Sequence, residues 1–270
     1  MADSVQPEVL SEIEDGVCLV TFNRPDHYNS WTPGMEVEYF DLLARLDADP
    51  DVRVIVVRGS GDRAFCPGAD MQLMNAGANS AGAGNPLRTR PMTYARSIRK
   101  PMIAAINGAC AGIGLVQALC CDIRFAVEGV TMTTAFVRRG LAAEFGVSWL
   151  LVRAIGTTRA TELLLSGRRF TSDEAVQMGL ISRVVAREEL MPLVMNYARE
   201  MAVNCSPLAM ATIKEQLSRD WERPHRLAEG EALLLVRDPQ RRADFREGGE
   251  SFVERRPPSF APLPPSTCDF

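Results

Sequence analysis

Residues 101–121, PMIAAINGACAGIGLVQALCC, carry no charged side chain. An uncharged run of about 20 residues can cross a bilayer, so this stretch leaves two kinds of structure: a membrane span or a deeply buried centre. The polar Asn107 and Gln117 and the glycines Gly108, Gly112 and Gly114 interrupt it. Its first part, MIAAING, reads as a buried strand, and its second part as a short helix over 113–120. A strand, a glycine turn and a helix packed inside a protein account for the run better than a membrane span does.

The rest of the chain must then supply a body large enough to bury that element. With 270 residues, 46% hydrophobic and 24% charged, it has the composition of a globular protein built around one large domain. The formal net charge of −4 argues against a basic nucleic-acid-binding surface. The seven cysteines show no CxxC or Cys/His spacing, so no metal site is expected. They read as buried free thiols of a reducing cytoplasm, and the start, MADSVQPEVL, reads as no secretory signal.

Along the chain, 9–13 and 17–22 read as strands joined at Asp15-Gly16, 33–47 as a helix entered through Pro33, and VRVIVVRG (52–59) as a buried strand. Residues 75–91, rich in Gly, Ala and Asn, read as a mobile loop, and 92–99 as a helix. CDIRFAV is a further strand. From 146 onward the pattern is nearly all helical, in segments 146–155, 157–165, 172–178, 187–203, 206–220, 225–237 and 239–255, before a Pro-rich irregular tail. The fold class is α/β: stacked βα units over residues 1–200, then a C-terminal helical segment and tail over 201–270.

Two glycine turns share one logic. In AFCPGAD (64–70) a strand ends and the backbone bends at Pro67-Gly68; in INGACAGIGLVQAL (106–119) a strand ends and a helix opens across Gly112–Gly114. Glycine permits a close backbone approach, and a helix N-terminus offers unpaired N–H groups. One N–H from each turn, converging on a single oxygen, would form an oxyanion hole for a carbonyl that gains negative charge.

RAFCPGADMQLM, followed by AAINGACAGIGLVQALCCDIRFA, resembles the crotonase (enoyl-CoA hydratase/isomerase) family, as do NRPDHYNSW and TSDEAVQMGLISRVV. The resemblance runs over about residues 8–256. It implies a spiral of ββα units with a helical C-terminal part, assembly as a trimer or a dimer of trimers, and an acyl-CoA substrate held as a thioester enolate. It implies no separate cofactor, coenzyme A being part of the substrate. Carried over by position, the oxyanion donors are the backbone N–H groups of Ala69 and Ile113. Substrate contacts are expected from Arg24, His27, Tyr28, Gly68, Asp70, Met71, Gly112, Val116 and Phe136.

The acids set this chain apart. Where the hydratases it resembles carry two glutamates, it has Val116 and Phe136. A single glutamate, Glu144 in GLAAEFG, matches the spacing of Δ3,Δ2-enoyl-CoA isomerases of the peroxisomal type. The expected activity is therefore double-bond isomerisation with Glu144 as the one acid–base group. Alternatives are a hydratase with relocated groups and a non-catalytic acyl-CoA binder. His27 and His225, the only histidines, lie in no hydrolase-triad pattern.

Overall fold

The computed structural model of the chain describes residues 6–75, 85, 87–235 and 237–265. Two strands, β1 (Val9–Glu14) and β2 (Val17–Phe22), form an antiparallel hairpin. Its tight turn falls on Asp15 and Gly16, both at positive φ (51° and 77°). Helix α1 (Pro33–Ala48) follows; Thr32 caps it by accepting the Met35 N–H at 2.9 Å, and Pro33 supplies a preset first turn.

Three successive stretches then each give one strand to each of two sheets. They are β3 (Val54–Gly59) with β4 (Ala64–Cys66), β5 (Met102–Ile106) with β6 (Ala109–Ala111), and β7 (Ile123–Val127) with β8 (Thr131–Thr133). The larger sheet runs β1-β2-β3-β5-β7-β10, parallel from β2 onward, with β10 at Arg183–Val185. The smaller runs β4-β6-β8-β9, with β9 at Phe170–Thr171. Each turn of chain is thus stacked on the last, which gives the spiral. Short helices α2 (Met71–Asn75) and α3 (Ile113–Cys120) follow β4 and β6.

The uncharged run becomes β5, β6 and α3, and it is buried as its composition demands: every residue of β5 has no exposed surface. Parallel strands covered on both faces read as continuous apolar runs, and β3 and β5 do. Asn107 is consumed internally and Gln117 in part, its side-chain oxygen having no partner among the described residues. The Asn107 side chain accepts from Gly59 N and donates to Gly59 O and Gly61 O at 2.7–3.0 Å, and Gln117 donates to Met92 O at 2.9 Å. Among the described residues no helix is long and apolar enough to cross a membrane.

Helices α4 (Val147–Ile155), α5 (Thr157–Ser166), α6 (Ser172–Gln177), α7 (Arg187–Asn204), α8 (Pro207–Arg219), α9 (His225–Leu235) and α10 (Pro239–Glu254) match the helical segments expected after 146. Strands β9 and β10 lie between them unannounced, because two or three residues show no period. The stretch 92–99 is a single 3-10 turn, Tyr94–Ser97; Pro91 and Pro101 bound it, and Pro101 pushes the residue before it toward extended backbone. Most of the loop expected at 75–91 lies outside the described residues.

Helix α7 seats Leu190, Val194, Ala198 and Ala202 against the large sheet, so a boundary at 200 falls inside a helix that belongs to the body. Among the described residues none beyond Ala202 joins the buried apolar core. Helices α9 and α10 leave Leu227, Leu233, Leu234, Phe245, Phe252 and Val253 exposed. The tail has no helix or strand over 257–265 and returns to the body: Arg53 donates to Phe260 O (3.0 Å) and Arg99 to Pro264 O (2.7 Å).

Candidate active site

Beyond β4 the chain bends through Gly68, whose φ of 114° suits glycine, and reaches Ala69. The segment around Trp31 clasps this turn: Trp31 N–H donates to Gly68 O (2.8 Å) and Asp70 N–H to Trp31 O (2.9 Å). Asp70 locks it from behind. Its carboxylate accepts the Gln72 and Leu73 N–H groups, the Ser30 hydroxyl and the Arg24 guanidinium (3.0 Å). Burial works against the charged form of Asp70, but these hydrogen bonds, Arg24's first, outweigh it and hold the carboxyl below its ordinary range.

The second turn lies directly against the first. Gly112 (φ 50°) links β6 to α3, and a Cβ on it would come 3.8 Å from the Gly68 Cα. A Cβ on Gly114 would overlap the carbonyl oxygen of Cys66 and sit 2.8 Å from its carbonyl carbon, so α3 starts hard against the end of β4. The backbone N–H groups of Ala69 and Ile113 donate no hydrogen bond among the described residues. Both residues line one cavity of about 510 Å³. Beneath the turns, burial pushes the Cys66 thiol up to about 12, so it is a packing group and not a nucleophile.

The facing wall is residues 134–145. After β8 the chain passes through Ala135 (φ 64°), the largely buried Phe136, a 3-10 turn Val137–Arg139, and Gly140 (φ 71°). Glu144 comes next, half-buried, followed by Phe145 (φ 55°) and Gly146 (φ 68°), which turn the chain into α4. Phe136, Arg139, Leu141, Glu144 and Phe145 all line the same cavity. The Glu144 carboxylate makes no hydrogen bond or ion pair among the described residues.

A third side closes the cavity with Trp31, Glu36 and Arg88. Glu36, in the first turn of α1, is buried and accepts two bonds from Arg88 (2.6 and 3.0 Å) and one from the Trp31 indole (3.3 Å). The Arg88 guanidinium lies 5.5 Å from the Phe145 ring centroid. Its pKa stands above the ordinary value, chiefly through the hydrogen bonds to Glu36, against a burial cost, with the charges of Glu36 and Glu144 adding to it.

Of the residues singled out in the sequence, Gly68, Ala69, Met71, Gly112, Ile113, Phe136 and Glu144 come together on this cavity. The others do not line it. Arg24 is committed to Glu8, Asp70 and Ser30. Val116, on α3, has no exposed surface and packs in the core. His27 and Tyr28 are exposed, and Arg63 stacks 4.2 Å over the Tyr28 ring. Sequence reading missed Trp31, Glu36, Arg88 and Arg139. Glu36 and Arg88 stand 52 residues apart and carry no local signal of their pairing, whereas the two arginines of TTAFVRRG lie within sight of Glu144.

The enoyl-CoA hydratase/isomerase family model matches residues 12–262. The (E)-benzylidenesuccinyl-CoA hydratase of Thauera aromatica is 33% identical, over 93% of this chain and 98% of that protein. The 1,2-epoxyphenylacetyl-CoA isomerase of Escherichia coli is 32% identical, over 93% and 97%. The crystal structure of an enoyl-CoA hydratase from Bacillus anthracis superposes with a TM-score of 0.85 at 27% identity, over 94% of this chain and 99% of that one. A spiral of parallel strands and a match along nearly the whole chain agree: the protein belongs to the enoyl-CoA hydratase/isomerase, or crotonase, family and is an enzyme of acyl-CoA chemistry.

Proposed function

We propose that the protein moves the double bond of an enoyl-CoA, with Glu144 as the only acid–base group. The observation that carries this reading is the state of the groups on the cavity wall. One carboxylate is uncommitted, two backbone N–H groups are uncommitted, and the other acid, Glu36, is tied to Arg88. Glu144 takes a proton from C2 of a 3-enoyl thioester. The electron pair moves into a dienolate whose oxygen receives the Ala69 and Ile113 N–H groups, and the proton returns at C4 to give the 2-enoyl thioester. Hydration needs a second group to hold water; Phe136 cannot hydrogen-bond one, and Val116 is buried away from the cavity.

The relatives named as hydratases make hydration the competing reading. Purified enzyme is given 3-hexenoyl-CoA and, separately, 2-hexenoyl-CoA. The expected result is faster formation of the 2-enoyl thioester from the first than of the 3-hydroxy thioester from the second. Rapid hydration with no shift of the 3-enoyl double bond overturns the isomerase reading. Exposed His27 and Tyr28, with Arg63 beside them, are assigned to the coenzyme A moiety. Assembly as a trimer or dimer of trimers is part of the same reading, supported by the exposed apolar side chains of α9 and α10; a monomer by light scattering refutes it.

A further inference from the structure

Among the described residues four ionisable side chains line the cavity: Glu36, Arg88, Arg139 and Glu144. Glu36 and Arg88 neutralise each other through two hydrogen bonds, and Glu144 is assigned above to proton transfer. That leaves Arg139. Its neighbour Arg138 donates to Ser166 O at the end of α5, while Arg139, closing the 3-10 turn before Gly140, is on the cavity wall. Among the described residues the Arg139 guanidinium makes no ion pair and no side-chain hydrogen bond.

Arg139 is an exposed residue of that wall, so its charge is hydrated while the cavity is empty; an uncharged acyl chain that reaches it displaces part of that water and returns nothing to it. A carboxylate on the acyl group would instead meet a planar, permanently charged fork that matches it in shape. Arg139 and Glu144 belong to one wall segment, so the group that would read the acyl chain and the group that would act on it are set by the same stretch of backbone.

We propose that Arg139 binds a carboxylate carried by the acyl group, and that the substrates of this enzyme are thioesters of dicarboxylic acids. This rests on reading the cavity as the acyl-thioester site. Calorimetry with succinyl-, glutaryl- and adipoyl-CoA, against butanoyl-, pentanoyl- and hexanoyl-CoA, tests it without turnover.

The best-bound diacid thioester is expected to bind at least about tenfold more tightly than its equal-length neutral partner, as one charge-assisted pair allows. The preference is expected to fall to within about twofold in Arg139→Gln, to return in part in Arg139→Lys, and to invert in Arg139→Glu. It is expected to persist when pantetheine thioesters, which lack the phosphates, replace the CoA thioesters. Equal binding of the two series by the wild type, or an undiminished preference in Arg139→Gln, overturns the proposal while leaving the acyl-thioester reading in place. A preference that vanishes with pantetheine does not come from a direct pair between Arg139 and the acyl carboxylate, and also overturns it. Binding of neither series overturns the reading of the cavity and this proposal with it.

Discussion

The wall that carries Ala69 and Ile113 is shaped by two close-packed backbone turns; the facing wall follows a single segment, 134–145, that carries the side chains of Arg139 and Glu144. The first is packed without slack, with Gly112 against Gly68 and Gly114 against Cys66. Its positive-φ positions, Gly68 and Gly112, are glycines, for which that conformation is unstrained. The second wall puts Ala135 and Phe145 into the same left-handed region, at a cost of order 1–2 kcal/mol for each non-glycine residue. Strain is therefore held on the side where a particular acid must be aimed. On the side where any residue's N–H will serve, the demand is for the absence of side chains. The two walls should fail differently when altered.

The largest effect is expected on the side-chain wall. Glu144→Gln keeps the size of the residue and removes the proton carrier, so turnover should fall about 10²–10⁴-fold, the usual contribution of a general acid–base. The carboxylate has no partner to lose, so acyl-CoA affinity should stay within several-fold and the melting temperature near that of the wild type. Steady-state kinetics with calorimetry and a thermal melt decide this. Full activity in the variant makes Glu144 a structural residue and removes the basis of the isomerase reading.

A smaller loss, of stability and not of chemistry, is expected at the packed side of the backbone wall. Gly114→Ala adds a Cβ into the carbonyl of Cys66. Overpacking of this kind costs about 1–3 kcal/mol, and backbone cannot swing aside as a side chain can. Chemical denaturation should show a lowered midpoint with an unchanged slope. An unaltered midpoint would mean that the two turns are not in close contact, and the convergence of their N–H groups would lose its support.

This contrast explains what could be read in the chain before folding. The backbone wall was legible because close approach forces glycine, and Pro67-Gly68 and Gly112–Gly114 mark the two bends. Strands β3 and β5 were legible because burial on both faces leaves an unbroken apolar run, and helices α4 to α10 because Gly, Pro and Asp punctuate them. Strands β4, β6, β8, β9 and β10 are two or three residues long, too short to carry a period. On the other wall, Glu144 stands out as the one charge in GLAAEFGVSWLL, but its role was visible only through a resemblance, since nothing in that stretch says what its carboxylate faces. The Glu36–Arg88 pair was invisible, because tertiary structure alone brings α1 against residue 88. Val116 shows the converse: a position matched to a family acid is here a fully buried core residue.

The smallest effect tests the contrast most directly. Ile113 is a site residue by its N–H, and its side chain is half-buried against the core. Trimming it in Ile113→Val leaves the N–H, the Gly112 turn and the start of α3 in place. An Ile→Val change in a packed position costs about 0.5–1.5 kcal/mol of stability. It touches no group that carries charge or a proton in the reaction, so kcat should stay within about fivefold of the wild type. The acyl side of the cavity widens by one methylene-sized volume, and the change should appear in KM for longer or branched thioesters. Removing one hydrogen-bond donor from an oxyanion hole costs about 10²–10³ in kcat, so the two outcomes are well separated. A hundredfold fall in kcat for Ile113→Val, with the protein still folded, would mean that the side chain and not the backbone does the work at this position, and the wall would have to be understood in side-chain terms like its partner.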